Sequence, residues 1–165
     1  MEQTEIDEMF MYEALKLACI AEKKGEVPIG AVIVKDGKII SKGYNLKETK
    51  QMAINHAEIL AIKNACKKLR SWRLEDCTLY VTLEPCPMCS GAIINSRITR
   101  IVFGAFDKKA GCCGTLYNLP LDERFNHRPI VMGGILENDC GKILSNFFKN
   151  ARENKGRRNV NNRIR

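Results

Sequence analysis

The chain has 165 residues, 45% of them hydrophobic and 28% charged, with a formal net charge of +8. That length and apolar content support one compact core and exclude a disordered or collagen-like chain, and a domain of this size needs neither disulfide nor metal to fold. No apolar run approaches the roughly 18 residues of a membrane span, and the acidic start (Glu2, Glu5, Asp7, Glu8) is unlike a secretory leader.

In chain order, Phe10, Ala14, Leu17, Ala18 and Ala21 recur at helical spacing and predict an amphipathic helix over about 7–24, ended by Gly25. Ala31-Val32-Ile33-Val34 and Lys38-Ile39-Ile40 read as two strands joined by Asp36-Gly37, a favoured two-residue hairpin turn. A polar loop over 45–55 leads to a second helix, His56 to about Leu69. Thr78–Leu83 is a third strand running into Glu84-Pro85 and a short helix from Cys86 to about Ile94, and Ile98–Phe103 is a fourth strand. Residues 105–128 lack a period; a loop that long is functional or carries small structure of its own. Ile130–Met132 reads as a fifth strand, and Cys140 to about Arg152 as a last helix that frays beyond Gly156. A hairpin followed by alternating strand and helix implies an α/β fold: a mixed five-stranded sheet with helices on both faces.

The positive charge is unevenly placed. Residues 149–165 hold seven basic side chains (Lys149, Arg152, Lys155, Arg157, Arg158, Arg163, Arg165) against Glu153, a net +6, which leaves +2 for the rest. The chain therefore reads as a single domain over residues 1–155 followed by a flexible basic tail, 156–165. Such a tail fits a polyanion, with nucleic acid ahead of an anionic membrane surface; a solubilising extension is the plain alternative. Eight cysteines without an export signal point to reduced thiols in a cytoplasm, where paired Cys spacing means metal or redox chemistry.

Two short runs carry that chemistry: His56-Ala57-Glu58 and Pro85-Cys86-Pro87-Met88-Cys89, each opening a predicted helix. Cys86 and Cys89, three apart, share one face of a first helical turn, and Pro87 suits that turn because its missing N–H has no intrahelical partner there. With His56 they make a two-thiolate, one-imidazole set suited to Zn²⁺. A catalytic zinc leaves its fourth position to water, whereas a structural zinc would recruit another cysteine, such as Cys112 or Cys113. Glu58, at a helix mouth two residues past a ligand, favours the catalytic reading as acceptor of the water's proton. Two other readings stay open: an RNA-binding module with structural zinc, and a thiol–disulfide oxidoreductase using Cys86 and Cys89.

His-x-Glu followed by Pro-Cys-x-x-Cys is also the signature of the zinc nucleobase deaminases. Around it stand Pro28-Ile29-Gly30-Ala31-Val32, Gly43-Tyr44-Asn45, Leu79–Cys86, Ser96-Arg97-Ile98, Val102-Phe103-Gly104-Ala105, Phe125-Asn126-His127 and Phe147-Phe148. Over about residues 8–150 the chain resembles the bacterial tRNA-specific adenosine deaminases. The resemblance implies a cytidine-deaminase-like three-layer fold, a homodimer, one zinc per chain on His56, Cys86 and Cys89, and Glu58 as proton shuttle. It implies hydrolytic conversion of the wobble adenosine in a tRNA anticodon stem–loop to inosine, by attack of zinc-bound water at C6 and release of ammonia. Asn45, Asp107 and Asn126 fall where the family lines its RNA pocket, with His127 a weaker candidate. Ala53-Ile54-Asn55 departs from a Pro-Thr-Ala run of some members.

Outside these runs, Cys19, Cys66, Cys77 and Cys140 are expected to be small buried hydrophobes, and Trp72 a core residue. Cys112-Cys113 are expected either to border the pocket or to pack in the core. Of Phe147-Phe148, one is expected in the core and the other at RNA or a partner subunit.

Overall fold

A computed structural model describes residues 1–163, with side chains described through residue 160. Helix α1 (Gln3–Lys23) is followed by strands β1 (Gly30–Lys35) and β2 (Lys38–Tyr44), helix α2 (Ala57–Leu69), strand β3 (Cys77–Leu83), helix α3 (Pro87–Asn95) and strand β4 (Arg100–Ala105). A 3-10 turn (Leu119–Leu121), strand β5 (Ile130–Gly133) and helix α4 (Glu137–Arg163) complete the order. The turn between β1 and β2 has positive φ at both Asp36 and Gly37, the backbone that a tight hairpin demands.

The five strands form one sheet in the order β2-β1-β3-β4-β5; the first two pairings are antiparallel and the last two parallel. The expected mixed five-stranded sheet is thus present. Period-two alternation divides its side chains between two cores. Ala31, Ile33, Leu79, Val81, Ile101 and Phe103 face α2 and α3, packing on Ala57, Ala61, Ala65 and Ile93. Val32, Val34, Tyr80 and Val102 face α1 and α4, packing on Phe10, Met11, Ala14, Leu17, Cys140 and Leu144. Three layers result.

The topology also gathers loops at one end of the sheet. Leu83, closing β3, stands in register with Ala105, closing β4, and Gly30, opening β1, with Tyr44, closing β2. Segments 26–29, 45–56, 84–86 and 106–107 therefore leave or enter the sheet at the same edge. The first turn of α2 sits close against it there: a Cβ on Gly43 would lie 2.3 Å from the carbonyl oxygen of Ala57.

Helix α4 is longer than the expected Cys140 to about Arg152. It runs through Gly156, where fraying was expected, to Arg163. Glycine costs a helix about 1 kcal/mol without obliging it to stop, and the surrounding Asn, Lys, Arg and Glu residues tolerate helix. Every described side chain beyond Ala151 is exposed, so α4 carries its basic residues away from the body. Arg165 and the side chain of Arg163 lie outside the described residues. Trp72, expected in the core, is 57% exposed; it follows the left-handed cap at Arg70 and is sheltered instead by the Arg73 and Arg97 guanidinium groups, 4.7 and 5.8 Å from its ring centroid. Cys77 and Cys140 are buried as expected, whereas Cys19 is exposed and Cys66 half-buried, because each falls at the rim of its helix's apolar stripe.

One polar cluster ties the α1 layer to the sheet. Asp7 accepts both guanidinium nitrogens of Arg100 at 2.7 Å, the Tyr80 hydroxyl at 2.9 Å and the Gln3 amide at 3.0 Å. Burial pushes the Asp7 carboxyl up, but Arg100, Tyr80 and Gln3 together outweigh it and hold the group below 3.8. Asp7→Ala leaves Arg100 without its counter-ion and should cost about 3 kcal/mol in urea unfolding. In the wild type that contribution should be complete above about pH 4 and fade as the pH falls through the depressed native value, and Asp7→Asn should flatten that acid limb.

Candidate active site

His56 and Cys86 are the N-caps of α2 and α3, each extended (φ −76°, ψ 154° and φ −74°, ψ 176°), and each hands its carbonyl to the first turn. Leu60 N–H reaches the His56 oxygen at 3.1 Å and Ser90 N–H the Cys86 oxygen at 2.8 Å. Pro87 occupies the first helical position and Cys89 the third, so the two cysteines flank one turn. Two helix N-termini converge on one point, a field that favours negative charge.

At that point His56 Nδ1 is 3.5 Å from both Cys86 Sγ and Cys89 Sγ. A tetrahedral zinc with Zn–S of about 2.3 Å and Zn–N of about 2.0 Å requires an N···S separation of about 3.5 Å. The donor set and its spacing fit the ion. Among the described residues this is the one cluster of three ligand side chains, its donor atoms all within 4.8 Å of one another. Cys112 and Cys113 are buried but outside it, and Cys113 Sγ sits 3.4 Å from Ser90 Oγ instead. The cluster thus offers three donors, the number that a catalytic zinc site uses. Cys86 is held low, at about 4, first by the hydrogen bond from Cys89 and then by His56; Cys89 is raised by the same bond and by burial.

Glu58 occupies the first turn of α2 and is 4% exposed. Its Oε2 is buried without a hydrogen-bond partner, an orphan acceptor that a structural role leaves unexplained. Burial pushes the carboxyl up to about 7. A carboxyl poised near neutrality beside a Lewis-acid site can both take and return a proton.

The other expected site residues occupy separate surroundings: Asn45 and Asp107 belong to the segments leaving β2 and β4, whereas Asn126 and His127 sit by the far end of α3 and the start of β4. Asn45 is buried; its amide donates to the Val27 carbonyl at 3.3 Å and its oxygen accepts Lys47 N–H at 3.2 Å. Asp107, just after β4, accepts Lys109 and Ala110 N–H groups through Oδ1. It lines a cleft of about 490 Å³ with Val27, Leu83, Phe106, Lys108, Lys109 and Phe148. Asn126 lines a groove on the outer face of α3 with Asn95, Arg97 and Phe125, and His127 Nε2 is tied to the Ile98 carbonyl at 2.7 Å. Phe148 is 45% exposed in the cleft, while Phe147 is half-buried rather than core.

Two buried carboxylates escaped sequence reasoning. Glu26 accepts Glu48 and Thr49 N–H groups at 2.9 and 3.3 Å, and Glu84 accepts a set of donors from the loop after β4. The available signal was position: each acid abuts an apolar strand or its approach, next to a proline turn.

The fold and this centre define a deaminase: residues 5–152 match the MafB19-like deaminase family. A tRNA-specific adenosine deaminase of Bacillus subtilis (strain 168) is 59% identical over 149 residues, spanning 90% of this chain and 92% of the relative. A solved structure from a study of A-to-I editing by tRNA deaminases at the wobble position matches with a TM-score of 0.80 at 40% identity, covering 82% of this chain and 99% of that one. A guanine deaminase structure from Bacillus subtilis matches less extensively, with a TM-score of 0.58 at 44% identity over 64% of this chain and 66% of that one. The chain belongs to the tRNA-specific adenosine deaminases and has the cytidine-deaminase-like fold.

If the site is closed by three ligands only, Cys112→Ser combined with Cys113→Ser should keep one zinc per chain by elemental analysis. Cys86→Ser or Cys89→Ser should lower metal retention at least about tenfold.

Proposed function

We propose that the enzyme converts adenosine to inosine at the wobble position of a tRNA anticodon, with one Zn²⁺ per chain on His56, Cys86 and Cys89. The observation that carries the chemistry is the buried, unpartnered Glu58 oxygen beside that donor set. When bound, zinc supplies Lewis-acid activation of the attacking water. Glu58 accepts a proton from that water and delivers it to N1 of the adenine, making C6 more electrophilic. The water oxygen bonds to C6, Glu58 carries the remaining proton of the new C6 hydroxyl to the exocyclic amine, the C6–N bond breaks as the C6 carbonyl forms, and ammonia leaves inosine behind. The target base must leave its stack to reach a buried carboxylate, and an anticodon loop presents it at small cost.

Two features support an RNA over a free base. The cleft that contains Asp107 sets Lys108 and Lys109 beside Phe106 and Phe148, which are 48% and 45% exposed; cations with stacking faces suit an unpaired nucleotide. Helix α4 extends Lys149, Arg152, Lys155, Arg157 and Arg158 into solvent, a charge a phosphate backbone can use and a nucleobase cannot. Asp107 acts on substrate from the cleft wall and Asn45 from below it, through Val27. Asn126 and His127 act from the α3 side, His127 through the ring edge left free by Ile98. The α3 groove, lined by Ile94, Leu119 and the exposed Phe125, suits a second copy in a homodimer. Residues 1–155 form the catalytic domain, and the basic segment beyond them serves the RNA. No described helix is long and apolar enough to cross a membrane, and we place the reaction in the cytoplasm with its tRNA substrate.

The assay is inosine formation on an anticodon stem–loop bearing a wobble adenosine, with free adenosine, cytidine and guanine as controls. Glu58→Gln should retain zinc and fold while turnover falls about a thousandfold; normal turnover rejects the shuttle. Lys155, Arg157 and Arg158 changed together to Gln should weaken stem–loop binding and flatten its salt dependence by about 0.7 in log–log slope per lost phosphate contact. Unchanged affinity across a salt titration would return this segment to a solubilising role.

A further inference from the structure

Glu84 is 1% exposed, takes no part in the chemistry above, and among the described residues makes no ion pair. A buried carboxylate without a cation is costly unless hydrogen bonds replace its water. Here they do. Oε1 accepts Asp107 N–H at 3.2 Å and the Thr115 hydroxyl; Oε2 accepts the N–H groups of Cys113 and Thr115, each at 3.1 Å. All four donors belong to the loop after β4. The loop closes tightly on the carboxylate because residue 111 is glycine: a Cβ there would lie 2.4 Å from the Glu84 carboxyl carbon.

The same residue is anchored on its other side. Glu84 N–H donates to Ala105 O at 2.8 Å, and Cys112 N–H donates to Pro85 O at 2.9 Å, the carbonyl just before Cys86. Glu84 thus joins the turn that carries a metal ligand to the loop that carries Asp107, with Leu83 and Asp107 both lining the cleft. No other described side chain bonds both termini of that loop.

We propose that Glu84 is a positioning residue for substrate recognition: its carboxylate clamps the 107–115 loop and thereby holds Asp107 at the wall of the nucleotide cleft. This rests on the tRNA reading above. The clamp acts on binding, because the ligand turn is independently fixed by the first turn of α3, while Asp107 N–H has no acceptor but Glu84.

The chemistry of the clamp supplies a selective test. In Glu84→Gln one oxygen remains. It can serve Cys113 and Thr115, and the Thr115 hydroxyl can rotate to accept from the new amide, but Asp107 N–H then faces a donor. Losing that single bond should raise KM for the stem–loop about tenfold. The value of kcat should stay within about twofold and zinc at one per chain, since neither depends on that bond. Adding Asp107→Ala to Glu84→Gln should lower kcat/KM little beyond the larger single effect, as expected for residues acting in series.

Gly111→Ala pushes on the carboxylate from the loop side and should give the same KM-only signature, which keeps the test open if Glu84→Gln folds poorly. Amide hydrogen exchange at Asp107 should accelerate in both variants, a readout that needs no substrate. Loss of zinc, a fall in kcat at unchanged KM, or fully multiplicative effects of the two substitutions overturn the proposal. Unchanged Asp107 exchange overturns the clamp itself. Accelerated exchange in a protein whose wild type leaves the stem–loop untouched upholds the clamp and rejects the tRNA reading.

Discussion

Three donor atoms held within 4.8 Å of one another by two helix mouths are the constraint on which the rest of this structure depends. No single element could supply them. His56 arrives from the loop after β2 and the cysteine pair from the turn after β3, the two strands on either side of β1. β2 and β3 are both antiparallel to β1 between them, so the chain leaves both strands at the same edge of the sheet. The small residues Ala57, Ala61 and Ala65, with Gly43 opposite, let α2 lie close enough for its cap to meet that of α3.

The electrostatics around the donors follow from the same placement. Hydrogen bonds from Cys89 and His56 favour the Cys86 thiolate, and burial opposes the Glu58 anion, so neighbouring groups are driven in opposite directions. That divergence suits a site that must bind a cation permanently and move protons transiently. Away from the centre, buried acids do different work according to their partners. Asp7 meets a guanidinium and locks two layers together, whereas Glu26 and Glu84 meet only loop donors and pin the loops at 48–49 and 107–115.

Much of the fold was legible because its signals are local. Alternating Ala31-Val32-Ile33-Val34, the Asp36-Gly37 turn and the helical stripe of Phe10, Ala14 and Leu17 each act through neighbouring residues, and the observed elements match them within a few positions. The candidate donor set was legible for a similar reason: cysteines three apart at a helix mouth share one face of a single turn, and His56-Ala57-Glu58 opens another. Trp72 was misread because an aromatic ring is apolar on any scale, and its shelter under Arg73 and Arg97 involves a residue 25 positions away. Helix α4 was read short because hydrophobic periodicity ends where its tertiary contacts end, while backbone hydrogen bonding continues.

By itself the sequence determined the donor types, the two helix mouths on which they sit, and the acid beside them, all consequences of spacing along one or two turns. Tertiary structure alone decided that Cys112 and Cys113 stay out of the His56–Cys86–Cys89 cluster, Cys113 turning toward Ser90. It also decided that Asn45 has its amide engaged by backbone while Asp107 stands at a cleft, and that Glu84 is buried among loop donors. Each of those outcomes depends on which segments the sheet carries to the same edge, a distance in space that no interval along the chain encodes.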